Sequence, residues 1–301
     1  NEGSPSSEAH FILADEFGKY MHTAFIPEGQ TVPHPDTHPV TTSFWNGFPR
    51  QFWNDPETYP YIDYADIHHY ARSGEVNLLA NVYTPNDFYD AALFSTKLST
   101  ALHERSPEMP VVRGEIGFLD EAIDLFAANG TNGVWLHNLI WSGINAGGLS
   151  ELYWTGAPTR DHIIGPAHDH RLMYRTFANF MQAVPLNNGR YADAAPTSST
   201  PDLRAWGQMD ATAEQAHLWI QNANHTWGNI AQGRPIPPVD GQIAIAGFTP
   251  EKSYTVTWWD PYQPDAAQQI IRSEQVTTDE DGVIRLEIRG LEGDTAVQIG
   301  P

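Results

Sequence analysis

The strongest constraint on how this chain can fold is a change of rhythm near residue 192. Before it, short apolar or β-branched runs alternate with helical ones. "HFILADEFGKYMHTAF" places Leu13, Phe17, Tyr20, Met21 and Ala24 at three- and four-residue spacing, and Ser4-Pro5 ahead of it suits a helix start. "HPVTTSFW" (38–45) and "YADIHHY" (64–70) read as strands. "DFYDAALFSTKLSTALHER" reads as a helix with Phe88, Ala91, Leu98 and Leu102 inward, stopped by Ser106-Pro107. "MPVVRGEIGF" (109–118) and "LSELYWTG" (149–156) are further strands. They flank the helical "TNGVWLHNLIWSGINAGG", and "HRLMYRTFANFMQAV" follows with Met173, Phe177 and Phe180 on one face. Strand then helix, four times over, implies a parallel sheet with helical crossovers.

The stretch "ADAAPTSSTPD" (192–202) has the composition of a linker. Beyond it come only strands: "QAHLWIQN", "GQIAIAGF", "SYTVTWWD", "QIIRSEQVTT", "GVIRLEIRG" and "DTAVQIG", with turn signals such as Asp281-Gly282 and Gly293-Asp294 between them. Strands at this spacing over about 100 residues predict an antiparallel β-sandwich. The expected division is therefore an α/β part over 1–191, a linker over 192–202 and an all-β part over 203–301. No internal repeat or low-complexity run interrupts this plan.

Charge narrows the partners. With 37 acidic against 16 basic residues, the formal net charge is −21. Such a surface repels phosphate backbones, so nucleic acid and anionic membranes are poor partners. The only lysines are Lys19, Lys97 and Lys252, and a lysine-poor acidic surface fits a secreted protein or a saline habitat. The absence of cysteine excludes disulfides, thiolate metal sites and cysteine nucleophiles. No apolar run is long enough to span a membrane. The opening "NEGSPSSEAH" has neither the basic nor the apolar region of a signal peptide and no initiator methionine. The expectation is an internal piece of a secreted protein whose leader lies upstream.

The chemistry is expected at the C-terminal ends of the parallel strands, where βα-barrels carry their reactive groups. The second strand ends in His68, His69 and Tyr70, the third in Glu115, the fourth in Tyr153 and Trp154. A carboxylate, hydrogen-bond donors and an aromatic plate converging there suit a sugar, and 10 Trp, 12 Tyr and 13 Phe supply aromatic surface beyond ordinary packing needs.

In this order and spacing "ADIHHY", "PVVRGEIGF" and "LSELYWTG" resemble strands six, seven and eight of the glycoside hydrolase clan A barrels, the superfamily of family 5 and its relatives. The resemblance implies a (β/α)8 barrel of which this chain holds the C-terminal half, followed by a β-sandwich. It implies Glu115 as nucleophile, His68 and Tyr70 as the His-x-Tyr pair of the minus-one subsite, and Trp154 as the floor of that subsite. Clan A also uses a glutamate after an asparagine at the end of strand four. The opening Asn1-Glu2, one helix upstream of strand five, matches it, with Glu2 as acid/base and Asn1 binding the sugar's 2-hydroxyl. Trp45 and Trp53, on the loop after strand five, are expected to line a subsite. The implied reaction is retaining hydrolysis of a β-glycosidic bond in a poly- or oligosaccharide, with the two carboxyls about 5–5.5 Å apart. No cofactor or metal is implied. Half a barrel leaves inner faces and sheet edges uncovered, so strands one to four are expected from another chain, a cleaved precursor or an upstream segment.

Plainer readings stand beside these. Glu115 could be a buried ion-pair partner of Arg113. His68 and His69 could bind metal, although adjacent strand residues point to opposite faces, and "AHDHR" (167–171) and "HPDTHP" (34–39) look metal-like while reading as polar loops. Trp135, Trp141, Trp258 and Trp259 suit core or interface positions. The functional alternatives are a catalytically inactive barrel that binds carbohydrate or acts as a scaffold, and a metal-dependent hydrolase.

Overall fold

A computed structural model describes residues 3–23, 38–45, 47–71, 85–118, 133–154, 164–165, 168–169 and 171–301 of the chain. Its first part contains α1 (Glu8–Thr23), β1 (Ser43–Trp45), α2 (Arg50–Trp53), β2 (Ala65–Ala71), α3 (Ala91–Arg105), β3 (Val111–Phe118), α4 (Val134–Ser142), β4 (Ser150–Trp154), the short pair β5 (Ile164–Gly165) and β6 (His168–Asp169), and α5 (Arg171–Gln182). Strands β1 to β4 form one sheet in chain order, and every pairing in it is parallel. Ahead of β1, Gly3 bridges Phe44 in parallel and donates its amide to the Ser43 carbonyl at 3.0 Å. Gly3 itself thus sits beside β1, on the edge away from β2.

Helix α3 packs as the sequence predicts. Asp90 caps it, its carboxylate accepting from the Leu93 amide at 3.2 Å, and Phe88, Ala91, Leu98 and Leu102 are buried. Helix α4 is buried at all nine positions, as expected of a helix apolar all round, and Trp135 and Trp141 lie in the interior. Helix α1 departs from expectation. Its buried residues are Phe11 and Gly18, while Leu13, Phe17 and Tyr20 are 67%, 56% and 60% exposed. Phe11 is captured by aromatic neighbours, stacking on Phe52 at 4.9 Å and meeting Phe44 edge-on at 5.7 Å. Gly18 lets the backbone of Tyr61 approach where any Cβ would collide. Two small contact points thus orient the helix, and its richest apolar stripe faces outward.

The second part contains β7 (Ala192–Asp193), β8 (Thr197–Ser198), β9 (Leu203–Asp210), β10 (Gln215–Asn222), α6 (Trp227–Ala231), β11 (Val239–Ile245), β12 (Ser253–Trp259), β13 (Ile270–Thr277), β14 (Ile284–Leu291) and β15 (Asp294–Gly300). They form a six-stranded sheet, β13-β12-β15-β10-β9-β7, and a three-stranded one, β14-β11-β8, both antiparallel. Inward residues of both sheets, including Leu218, Ile243, Val256, Leu286 and Val297, make one core. Residues 192–202, linker-like in composition, place β7 in the larger sheet and β8 in the smaller. Strand β9 is not among the strands that the sequence pattern predicts. It is interrupted by Gly207, where a Cβ would meet the His217 carbonyl, a close backbone approach that only glycine allows.

The two parts meet along a mixed seam. Trp141 and Phe180 from α4 and α5 cluster with Trp219, Trp259 and Ala296 of the larger sheet, and Trp227 of α6 reaches back to donate to the Phe88 carbonyl at 2.9 Å. Within the seam, Asp294 is fully buried and accepts from His137 of α4 at 2.9 Å, Trp219 at 3.0 Å and Tyr262 at 2.7 Å. The His137 ring lies 4.0 Å from that of Tyr262, nearly parallel to it. Burial alone would raise the Asp294 carboxyl; the facing imidazole and these donors hold it below the usual range instead.

Candidate functional site

The parallel sheet carries one irregularity, and it decides where Glu115 points. Between β2 and β3 the register steps from Asp66↔Val112 to His68↔Glu115. One residue on β2, Ile67, is faced by two on β3, the signature of a β-bulge, which re-aims the side chains that follow it. Arg113 and Gly114 form the bulge. Gly114 leaves room there for the Asp66 carboxylate, which a Cβ would displace, and Asp66 secures the bulge by accepting the Gly114 amide at 2.9 Å.

The bulge separates two side chains that strict alternation would put on one face. Arg113 is fully buried on the helix side, donating to Ser95 Oγ of α3 at 2.9 Å and to the Gly148 carbonyl. Its pKa is pushed down to about 9 by burial. Ile116 faces the same helix layer. Glu115 turns to the other face, where its side chain is 30% exposed and Oε2 stands 3.6 Å from His68 Nδ1. That separation is in ion-pair range but beyond direct hydrogen bonding. Arg113 is committed to α3 and the loop before β4, so it is not the counter-charge of Glu115.

His69, adjacent to His68, stacks on Phe94 of α3 at 6.0 Å and is 1% exposed. The two histidines therefore face opposite sides of the sheet, as strand alternation requires. Burial, with Arg113 nearby, lowers the His69 pKa to about 3, so it is a neutral core imidazole.

Register places the remaining expected residues in two rows. Trp45, His68, Glu115 and Leu152 line up across β1 to β4, and Tyr70, Gly117 and Trp154 line up across β2 to β4. Strand β3 runs on to Phe118, three residues past the glutamate expected to end it. Asn1 and Glu2 lie outside the described residues, as does most of "HPDTHP". Trp53 is not a subsite residue: it is 1% exposed and packs edge-on against Phe44 at 5.0 Å. Asp66 and the Gly114 bulge are not singled out by the sequence pattern. The available signal was a glycine inside an apolar strand, which marks a bulge or a close backbone approach. Among the described residues no helix is long and apolar enough to cross a membrane.

No protein-family model matches the chain, and no curated protein sequence matches it. Among solved structures, the chain is similar to a bifunctional glucanase-xylanase from a metagenome library, at 14% identity and TM-score 0.38, covering 83% of this chain and 46% of that one. It is also similar to a family 44 endoglucanase from Clostridium thermocellum, at 12% identity and TM-score 0.40, covering 82% and 48% respectively. A family 39 enzyme from Xanthomonas axonopodis pv. citri matches at 12% identity and TM-score 0.35, covering 100% and 67%. The chain thus spans about half the length of the first two.

Proposed function

We propose that this chain carries the C-terminal half of a (β/α)8 barrel of glycoside hydrolase clan A, followed by a β-sandwich, and that it takes part in retaining hydrolysis of a neutral poly- or oligosaccharide. The observation that carries the reading is the bulge at Arg113-Gly114, which turns Glu115 onto the same face as His68 and leaves its carboxylate accessible. A structural glutamate needs no such device, whereas a nucleophile must be presented to its substrate.

In this reading a Glu115 oxygen attacks the anomeric carbon as the glycosidic C–O bond breaks, and the leaving oxygen takes the proton of Glu2. Water then gives a proton to Glu2 and its oxygen to the anomeric carbon, releasing the Glu115 carboxylate. The parallel bridge of Gly3 to Phe44 supports the role given to Glu2, because Gly3 follows it directly in the chain and pairs with the first strand of the sheet. Asn1, His68 and Tyr70 hold the sugar, Trp154 forms the floor of its subsite and Trp45 lines a subsite. The four-stranded parallel sheet and the exposed apolar stripe of α1 support a complementing first half from an upstream segment or a separate chain.

The test is covalent trapping in a preparation that hydrolyses neutral polysaccharide. A 2-deoxy-2-fluoroglycoside should leave its label on the peptide containing Glu115. A label on any other carboxylate would remove Glu115 from the mechanism. Sugar binding with no turnover in any preparation would favour the inactive-barrel reading.

A further inference from the structure

The outward face of the six-stranded sheet divides into two halves. One half carries Trp206, Trp219, Ala296 and Trp259 in a row set by strand register, and it packs under α4 and α5. The other half carries no formal charge across β10, β15, β12 and β13. Its rows read His217–Gln298–Thr257–Ser273 and Gln215–Gly300–Thr255–Gln275. In a chain of net charge −21 a run of seven polar, uncharged side chains and one glycine is not the default surface. The adjoining charge on β9, Asp210, is occupied by Arg190 at 2.9 Å and Asn188 at 3.0 Å.

Where this face meets the end of α5, a cavity of about 230 Å³ opens, lined by Tyr191, Gln215, His217, Thr255, Thr257 and Gln298. His217 forms its inner end. It is 1% exposed, and neither ring nitrogen makes a hydrogen bond among the described residues. A buried polar group without a partner costs free energy, on the order of 1–3 kcal/mol. Burial pushes the His217 pKa down to about 4. At neutral pH its ring therefore offers one donor and one acceptor, the pair a hydroxyl group matches.

We propose that this cavity and the charge-free rows leading from it bind a neutral carbohydrate, with one sugar ring seated against His217 and the chain running outward over Thr257 and Ser273. The volume corresponds to the liquid share of about eight waters, enough for a single ring and too small for a peptide anchor of several residues. Hydroxyls and amides make up six of the eight positions in the rows and match a polyhydroxylated ligand; the lack of cations makes the face unsuited to phosphate or uronate groups. The inference does not depend on the glycosidase reading, since it concerns a different sheet and different residues.

The test uses neutral hexaoses of glucose, xylose and mannose as probes, with a galacturonate hexaose as the charged control. Calorimetry is combined with the histidine ring signals in NMR. At least one neutral probe should bind and shift the His217 signal, while the galacturonate should not. Gly300→Leu fills the cavity floor, where a Cβ meets nothing nearer than Gln215 Cγ at 3.8 Å. It should fold normally and weaken binding at least tenfold, as should the surface change Thr257→Asp. Glu115→Gln should leave the His217 shift intact, which separates this site from the barrel. Four outcomes would overturn the proposal: no neutral probe shifting His217; equal binding of galacturonate; unchanged affinity in folded Gly300→Leu; or a His217 shift lost in Glu115→Gln. The first would identify the cavity as a water-filled crevice.

Discussion

The parallel and antiparallel parts of this chain solve the same problem, covering a sheet, to different extents. The two antiparallel sheets bury their inner faces against one another, and the larger has half its outer face under α4 and α5. The parallel sheet has its helix side covered by α3 and α4. Its other side presents Glu115, and α1 alongside it leaves Leu13, Phe17 and Tyr20 in solvent. The part that is nearly self-sufficient carries rigid seams. The part that is open carries the accessible carboxylate. Stability and presentation are thus divided between two regions that share one buried polar node at Asp294.

That division can be tested from both sides. The largest effect is expected at the open sheet. Glu115→Gln should reduce turnover roughly 10⁴-fold or more, as loss of a covalent nucleophile does elsewhere, with an unfolding midpoint close to that of the parent. At the seam the opposite is expected. Asp294→Ala strands His137, Trp219 and Tyr262, and should cost about 3–5 kcal/mol in chemical denaturation. A cost below about 1 kcal/mol would show that the node does not join the two parts.

Gly114→Ala lies between these extremes. The added methyl collides with Asp66, and the strain should cost about 1–3 kcal/mol while lowering turnover by misdirecting Glu115. Asp66→Ala in the same chain should relieve part of the stability loss, which a double-mutant cycle would measure.

A pH effect should follow from the two buried imidazoles. His69 and His217 have pKa values of about 3 and about 4 in the folded chain, against roughly 6.5 when unfolded. Below that value the unfolded state binds more protons, so their contribution leaves stability intact above about pH 6.5 and erodes it as pH falls toward 4. His217→Gln should flatten that slope in denaturation measured between pH 7 and 4.5.

The smallest effect is expected on α1. Leu13→Ser with Phe17→Ser should change the stability of this chain by no more than about 0.5 kcal/mol, because both side chains are already in solvent. The same pair should abolish association with a complementing half-barrel if α1 is its seat.

The alternation of strand and helix up to residue 191, and the strands beyond 203, were legible because their periodicities differ and because most bury one face against an apolar layer. Leu98, Leu102, Val256 and Leu286 sit where pattern alone puts them. Helix α1 was legible as a helix but not in its orientation. Its stripe is set by what is available to pack against, and Phe11 with Gly18 won over a longer apolar row. Glu115 stood out as a carboxylate in an apolar strand, yet pattern alone would leave Arg113 on its face. Only the Gly114 bulge separates them, and it depends on Asp66, 48 positions earlier. Strand β9 was missed because Gly207 breaks its pattern, and the Asp294 node because its three partners are scattered across three other segments.

One consequence is optical. Trp206 and Trp219 stack with ring centres 5.4 Å apart and planes inclined by 21°, and the Trp219 indole N–H is held by Asp294. Two indoles this close couple their transitions, so the pair should give a split signal in near-ultraviolet circular dichroism. Because the carboxylate that accepts from one ring also accepts from His137 of α4, that signal serves as a built-in gauge of whether the two halves of the chain are docked.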